Sequence, residues 1–480
     1  MISPRAFWIG LALLTALRLA VAAIAPLAPD EAYYWVWSRA LAPGYLDHPP
    51  MVALFAWAGT ALLGDTPLGI RLLAPLSAAL GSVLLAQAGE DLLPGRHAGR
   101  LAALLLNATL LFGVGAVTMT PDTPVLFLWT AALWALGRLL ATNRGHWWLV
   151  AGAMVGLALD SKYTAFLLAA AIPVWVVAVP SLRHWLRRWE IWAGGALAVA
   201  LFLPVVAWNA AHGWASFAKQ GGRTGAWDPS RAAQYLGELL LGQLGLATPV
   251  IAVLCAAGMG LAVRRLRDPA WALLAAITAL PALVFVQHAF GDRVQANWPA
   301  IIYPGAAIAV AGLGAFWHRL VRPGVALGFA LTAIAWVQAA FAPVALPMRL
   351  DPTLLRLGGW AALAAEIEAT RRAQGAAFVV SDNYSHAALL ALLLPPGTPV
   401  YGLEERWRLF RLPTAQPGGA PGLLVRSARR DEAPSGDWAR IERLGVIDRA
   451  RGGMTAESFR LYRVAGRAGD TPIAVMPRPR

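Results

Sequence analysis

The chain has 480 residues, of which 58% are hydrophobic and only 14% are charged. Soluble domains carry about 25% charged residues, so this composition excludes an ordinary soluble protein, and many apolar runs of about 20 residues predict a multi-pass membrane protein. The formal net charge is +14, but the basic residues are spread over short loops and the C-terminal tail, which argues against a nucleic-acid-binding face. The first apolar run, 7–24, lacks a convincing small-residue cleavage site and is interpreted as a membrane span instead of a signal peptide.

Short arginine-rich loops are predicted to face the cytoplasm, and they lie at 94–100, 142–146, 183–189, 264–268 and 318–322. The N-terminus, with Arg5 before the first span, is predicted on the same side. Because the chain crosses an even number of times between two such loops, we predict about eleven helical spans. Their approximate bounds are 7–26, 64–88, 100–119, 122–141, 147–160, 164–180, 190–208, 237–262, 270–288, 299–317 and 324–346. The same parity between the loops 142–146 and 183–189 places the turn 160–163 outside, and the odd total of spans places the C-terminus outside.

Residues 27–63 form a long first outer loop within a transmembrane domain that is predicted over 1–348. In this loop Asp30–Ala42 is predicted as one short amphipathic helix. Residues 50–63 are apolar but short for a span, so they are predicted as an interfacial or re-entrant helix.

The composition changes after about residue 348, where helical and strand patterns alternate. Residues 349–466 are therefore predicted as an α/β domain outside the membrane, here periplasmic. The remaining 467–480 are rich in proline and arginine and are predicted to be disordered.

Two polar clusters of the first outer loop are candidate functional sites. Asp30 and Glu31 lie side by side at the outer end of the first span, and the alternative for Asp30 is a helix N-cap. Asp47 and His48 precede two prolines in "YLDHPP", where they could bind a phosphate or a divalent ion. For metal binding a simple turn is the preferred interpretation, with His288 as the third ligand if a metal is bound. Asp122, between two prolines, is interpreted as a turn residue.

Basic and aromatic side chains gather on the predicted outer surface. For each basic residue alone, snorkelling to the interface is the simpler interpretation, but as a set with the carboxylates they predict an anion site for a lipid-linked phosphate. The basic residues are Arg71, Lys162, Lys219, Arg223, Arg231 and Arg293. The aromatic residues fit an interfacial belt, with sugar stacking as the alternative for one or two of them, Tyr33 among these. Nucleotide-binding and serine-hydrolase motifs are missing, which argues against a nucleotide-driven machine or a serine hydrolase.

The ordered series of motifs resembles the bacterial membrane glycosyltransferases of the GT-C fold. It is most similar to the branch of the protein O-mannosyltransferases and the lipid A aminoarabinose transferases. The motifs are the Asp-Glu pair, "GYLDHPP", "GDTPLGIRLL", "DTPVLFLWTAALWAL", "SKYTAFLL" and "GDRVQANWPA". The resemblance implies a polyprenyl-phosphate sugar donor, inversion at the anomeric carbon and Asp30 as the catalytic base, with Glu31 as its neighbour. Aminoarabinose transferases have Glu-Lys where this chain has Asp47-His48, and an arginine where it has Tyr33-Tyr34, so we expect a different sugar.

The predicted reaction is a single displacement in the bacterial inner membrane, with a cell-envelope glycan, lipid or protein as the acceptor. Lys162 and Arg293, with His48 in support, would stabilise the charge on the leaving phosphate, and Tyr33, Asp47 and Arg223 complete the predicted substrate site. The reaction needs no nucleotide, while a divalent cation is an optional addition. A transporter or flippase of lipid-linked sugars is the alternative, but the predicted spans hold few ionisable residues away from their ends. A non-catalytic assembly protein is a third possibility.

Overall fold

The computed structural model describes residues 3–222, 229–430, 434, 438–467 and 473–479. In these ranges the chain is mostly helical, and a single seven-stranded sheet lies near its C-terminus. The helices up to the middle of the chain are α1 (Pro4–Ile24), α2 (Pro29–Arg39), α3 (Met51–Leu63), α4 (Pro67–Arg71), α5 (Leu73–Leu92), α6 (Ala98–Asn107), α7 (Leu110–Gly115), α8 (Asp122–Thr142), α9 (Trp147–Leu159), α10 (Phe166–Ala178) and α11 (Trp189–Ala211). The later helices are α12 (Ala215–Gly221), α13 (Pro229–Leu246), α14 (Pro249–Val263), α15 (Pro269–His288), α16 (Tyr303–Ala309), α17 (Ala315–Arg319), α18 (Val321–Phe341), α19 (Pro352–Arg356), α20 (Trp360–Ala373) and α21 (Tyr384–Leu393).

The chain divides into two compact units. The helical unit consists of Met1–Ala20, Pro43–Val52 and Leu73–Ile334. The mixed unit consists of Val21–Ala42, Ala53–Leu72 and Ala335–Arg480. The mixed unit therefore contains α2 and most of α3 from the first outer loop, together with the C-terminal sheet.

Among the described residues, six helices are long and apolar enough to cross a membrane, or eight if two bent pairs each count as one span. Each predicted span overlaps a helix, and the predicted fold class, a polytopic helical membrane protein with a C-terminal α/β domain, is confirmed. The predicted span 237–262 is not one straight helix, because α13 and α14 meet at 110° around Thr248. The predicted span 100–119 is also broken, at Ala108 and Thr109, where the Thr109 hydroxyl accepts the Phe112 N–H and starts α7.

Small residues allow the helices of the helical unit to approach closely. Between α9 and α11, a Cβ added to Gly152 would lie 2.0 Å from the carbonyl oxygen of Gly194. A Cβ added to Gly194 would lie 2.3 Å from the carbonyl oxygen of Trp148. Such small-residue contacts stabilise helix packing in membranes, where apolar burial alone gives no net drive for helices to associate.

Arg18 is an ionisable residue inside α1, and no sequence motif assigns it a role. Its side chain is fully buried, and its Nη1 donates to Asn107 Oδ1 at 2.8 Å. Asn107 in turn donates to the Ser82 hydroxyl, also at 2.8 Å. The guanidinium lies 5.1 Å from the centre of the Phe112 ring. Arg18 therefore links α1 to α5, α6 and α7 from a sealed position, which differs from a charge exposed along a transport pathway.

The C-terminal sheet has the strand order β3-β7-β2-β1-β4-β6-β5. Its strands are β1 (Phe378–Ser381), β2 (Val400–Gly402), β3 (Thr414–Ala415), β4 (Gly422–Ser427), β5 (Trp438–Arg451), β6 (Met454–Arg467) and β7 (Ile473–Val475). The three central strands, β2, β1 and β4, are parallel, and the outer pairs are antiparallel. We call the segment from α19 to β7 the sheet domain.

The last residues of the chain depart from the expected disordered tail. Ile473–Val475 form β7, which pairs with both β2 and β3. Met476 is buried, and its N–H donates to the Val400 carbonyl at 2.8 Å. The proline and arginine content of the tail suggested disorder, but this short apolar stretch contributes a strand to an existing sheet.

Candidate active site

Helix α2 presents the Asp-Glu pair, and its two carboxylates have different surroundings. Ala28 is the N-cap and Pro29 is the first helical residue, so Asp30 is inside the first turn and is not the N-cap. Asp30 is exposed, whereas Glu31 is 1% exposed. A Glu31 oxygen accepts the Ala28 N–H at 2.9 Å, so Glu31 performs the capping that the alternative interpretation gave to Asp30.

Glu31 is held by Arg71, the last residue of α4. Arg71 Nε and Nη2 donate to the two Glu31 oxygens at 2.6 and 2.5 Å, and both side chains are 1% exposed. Arg71 also donates to the carbonyls of Ala25 and Pro26, at 2.7 and 2.8 Å. This bidentate buried pair fixes the start of α2 and engages both Glu31 oxygens. Asp30 is therefore the exposed residue of the pair.

The Glu31 face of α2 contacts the segment of α3 and α4. Trp35, four residues after Glu31, donates its indole N–H to Asp65 at 2.7 Å. Arg39, four residues further, pairs with Asp65 at 3.0 Å and also donates to the Thr60 hydroxyl. Spacing by four residues places these side chains on one side of a helix.

The opposite face of α2 packs against the sheet domain. The ring centre of Tyr33 lies 4.5 Å from that of Tyr384 and 5.6 Å from that of Trp407, and Tyr33 is 2% exposed. Trp37, one turn later, lies 6.2 Å from Phe410. The predicted helix over Asp30–Ala42 is observed as α2, but all residues from 31 to 38 are buried, so it lacks the solvent-facing side expected of an amphipathic helix. The ring of Tyr33 is also already packed on aromatic side chains, which leaves no face for the predicted contact with a sugar.

The second polar cluster lies in the helical unit and contains Lys162, placed at the turn after α9. Lys162 Nζ donates to Asp122 Oδ1 at 2.6 Å, and the lysine side chain is 7% exposed. Asn297 donates to the other Asp122 oxygen at 2.7 Å. The Met51 N–H donates to the Asp160 carbonyl at 2.9 Å, which ties the "DHPP" loop to the same turn. Asp122 thus orients the ammonium of Lys162, a role that the interpretation as a turn residue missed.

Asp47 and His48 belong to this second cluster. Lys219 pairs with the Asp47 carboxylate, and Gln220 donates to the Asp47 carbonyl at 2.7 Å. Burial, and then the nearby charge of Lys162, lowers the pKa of His48 to about 4. His48 is therefore neutral at physiological pH, and it could offer a hydrogen bond but no positive charge to a phosphate. Its buried Nδ1 has no hydrogen-bond partner within the described ranges.

Arg293 and Arg223 are the remaining predicted substrate-binding residues. Arg293 forms a bidentate pair with Glu238, at 2.6 and 2.9 Å, and its side chain is 53% exposed. In the part of the chain that the structure describes, no contact joins Arg293 to Lys162 or His48. Arg223 lies outside the described residues.

Sequence reasoning missed Asp122, Asn297 and Gln220 as members of the second cluster. Asn297 lies within the motif "GDRVQANWPA", so its position in an outer loop was the available signal. For metal binding, the described residues contain no group of three or more His, Cys, Asp or Glu side chains that could hold an ion. The possible set of Asp47, His48 and His288 is thus not assembled there.

Comparisons with known proteins agree on the fold. Residues 47–208 match the family model described as dolichyl-phosphate-mannose-protein mannosyltransferase. The chain is 25% identical over 396 residues to the lipid A galacturonosyltransferase RgtD of Rhizobium johnstonii, and the match covers 79% of this chain and 82% of the relative.

Two crystal structures of ArnT from Cupriavidus metallidurans are similar to this structure. The form bound to undecaprenyl phosphate gives a TM-score of 0.64 at 14% identity, over 98% of this chain and 100% of that chain. The apo form gives a TM-score of 0.64 at 15% identity, over 96% of this chain and 98% of that chain. The fold is therefore that of the GT-C membrane glycosyltransferases. The predicted similarity to the O-mannosyltransferase and aminoarabinose transferase branch is confirmed, and the protein is a multi-pass membrane protein.

Proposed function

We propose that this protein transfers a sugar from a polyprenyl-phosphate donor to a hydroxyl of lipid A or another cell-envelope acceptor, at the outer face of the bacterial inner membrane. The observation that carries the proposal is the exposed position of Asp30 in the first turn of a helix that is fixed on two faces. The similarity to RgtD, over about four fifths of each chain, supports lipid A as the acceptor class and a hexuronic acid as the sugar class.

The proposed reaction is a single displacement that inverts the anomeric carbon. The acceptor oxygen bonds to this carbon as the bond to the donor phosphate oxygen breaks, and the acceptor proton passes to Asp30. A carboxylate is a sufficient base, because the hydroxyl becomes acidic only as the new bond forms. The leaving lipid phosphate already carries negative charge, so no general acid is needed.

In this proposal Lys162 binds the leaving phosphate. An ammonium has three donors, and Asp122 accepts from one of them, which leaves others for a phosphate oxygen. His48 would add a neutral hydrogen bond. Arg293 would contribute only if its pair with Glu238 opened, so we assign it a smaller role than Lys162. The mechanism uses no nucleotide, and no step requires a metal ion.

Mass spectrometry of lipid A and other membrane glycolipids, in cells with and without the gene, tests the proposed function. We expect lipid A that carries an added hexuronic acid residue only when the protein is present. An isosteric Asp30→Asn protein should fail to restore this modified lipid A, whereas Glu405→Gln, at a carboxylate that is 88% exposed, should restore it. An unchanged glycan profile in cells without the gene would reject the proposal.

A further inference from the structure

The sheet domain binds α2 at the edge where α/β sheets usually bind their ligands. In such sheets, ligands lie beyond the carboxyl ends of the parallel strands. Here β1 ends at Ser381 and is followed by α21, whose first residue is Tyr384. The strand β2 ends at Gly402 and is followed by the short 3-10 helix Glu405–Leu409. The side chains that contact α2 come from these two connections, so part of the chain itself occupies this edge.

Arg406 is the central residue of this contact. Its guanidinium carbon lies 3.6 Å from the centre of the Tyr384 ring and 5.7 Å from that of Tyr33. Arg406 Nη1 also donates to the Tyr33 hydroxyl at 3.5 Å. Glu404 pairs with Arg406 Nε and orients the guanidinium plane. A planar cation on aromatic rings is a directional contact, so this arrangement fixes where Tyr33 lies.

The position of Tyr33 determines that of Asp30, since the two residues are one helical turn apart on α2. Small displacements matter in catalysis, because a shift of about 1 Å can lower a rate by about a hundredfold. We propose that the sheet domain is a positioning clamp, in which Tyr384 and Arg406 fix Tyr33 and thereby the carboxylate of Asp30. This inference rests on the proposed function for its effect on rate, but not for the contact itself.

Hydrogen–deuterium exchange tests the clamp without any substrate. We expect peptides covering 29–39 to exchange about tenfold faster in Arg406→Ala than in the wild type, because α2 loses an anchor on one face. The matched control is Arg408→Ala in the same 3-10 helix, since Arg408 is 63% exposed and its only ion pair within the described ranges, with Glu405, is 3.8 Å long. Equal exchange in the two variants would overturn the clamp.

Kinetics separate positioning from simple support of the fold. We expect Arg406→Ala to lower kcat by about tenfold while KM for the lipid donor stays within about twofold. Arg406→Lys keeps a cation over the Tyr384 ring and should recover most of kcat. If Arg406→Ala fails to fold, Tyr33→Phe replaces it, since this variant removes only the hydroxyl. We expect it to speed exchange of peptides 29–39 and to lower kcat, each by less than is expected for Arg406→Ala.

Faster exchange with an unchanged kcat would show a structural contact only and would overturn the positioning role. Wild-type protein that transfers no sugar would instead reject the proposed function, and the exchange measurement would still decide whether the sheet domain holds α2.

Discussion

At the residue scale, Asp30 and Glu31 are adjacent, but their surroundings assign them different tasks. Glu31 is buried against Arg71 and caps α2, while Asp30 is exposed in the first turn. Removing one partner of a buried ion pair leaves the other charge uncompensated, which costs more than the pair contributes when intact. Mutations at the two positions should therefore differ in kind, with Glu31 affecting folding and Asp30 affecting rate.

Glu31→Gln should destabilise the protein by about 3–5 kcal/mol, because Arg71 remains buried without its carboxylate. Thermal unfolding in detergent, followed by the tryptophan fluorescence of the purified protein, measures this loss. Glu405→Gln is the surface control and should change stability by no more than about 1 kcal/mol. Equal unfolding temperatures for Glu31→Gln and the control would contradict the structural role of Glu31.

His48 should make the protein sensitive to mild acid. Burial lowers its pKa to about 4 from 6.5, so between these values the unfolded chain binds a proton that the folded chain excludes. The stability from a neutral His48 is complete above pH 6.5 and decreases as the pH falls towards 4. Between about pH 7.5 and about pH 5 the wild type should therefore lose more thermal stability than His48→Gln. The control is His184→Gln, at an exposed histidine, which should lose as much thermal stability with falling pH as the wild type. Parallel pH profiles of thermal stability for His48→Gln and the wild type would refute the prediction.

Lys162→Ala should reduce kcat/KM for the lipid donor by about ten- to a hundredfold, since a charge-assisted contact to a phosphate is worth about 1.5–3 kcal/mol. Arg293→Ala should have a smaller effect, because Glu238 already neutralises that side chain. Arg264→Ala, at an exposed residue of a predicted cytoplasmic loop, is the control. Steady-state kinetics at varied donor concentration measure these changes in kcat/KM. A wild-type kcat/KM for Lys162→Ala would show that Lys162 does not bind the donor phosphate.

At the element scale, close helix contacts in the helical unit depend on glycine. Gly194→Ala should destabilise the protein by about 1–3 kcal/mol, because its Cβ would lie 2.3 Å from the Trp148 carbonyl oxygen on α9. The neighbouring Gly195 is the matched control, since an added Cβ there meets nothing within 4 Å. Gly195→Ala should be neutral or slightly stabilising, by up to about 1 kcal/mol. The unfolding temperatures of Gly194→Ala and Gly195→Ala test the close contact between α9 and α11. Equal temperatures for the two variants would argue against that contact.

The elements differ in how far the sequence could predict them. Long apolar helices such as α8 and α11 follow from hydropathy alone. The break between α13 and α14 was missed although Pro249 marks it, because the continuous apolar run on both sides favoured one span over a helix boundary at Thr248, which adopts a positive φ of 66°. Strand β5 could not be predicted from its sequence, because its exposed charged residues hide any alternation, and its partner β6 stabilises it from the neighbouring position in the sheet.

At the scale of the whole molecule, the order of motifs predicted the fold class and the candidate carboxylates, but not which contacts join them. Arg71 pairs with Glu31 from forty residues away, and Asp122 pairs with Lys162 over the same separation. Pairings of this kind depend on tertiary structure, so no local pattern could reveal that Glu31 is engaged or that Asp122 orients a lysine. Tyr33 was predicted to contact a sugar but instead anchors α2, because its contacts with Tyr384 and Trp407 also depend on tertiary structure.

Turnover of purified Asp30→Asn with a polyprenyl-phosphate sugar and lipid A tests whether the protein transfers sugar with Asp30 as the base. Asparagine keeps the size of the side chain and removes the base, so we predict unchanged thermal unfolding and a kcat lowered by about a hundredfold or more. Glu405→Gln should retain wild-type turnover. If the wild-type protein transfers sugar and Asp30→Asn turns over at the same rate, Asp30 is not the base.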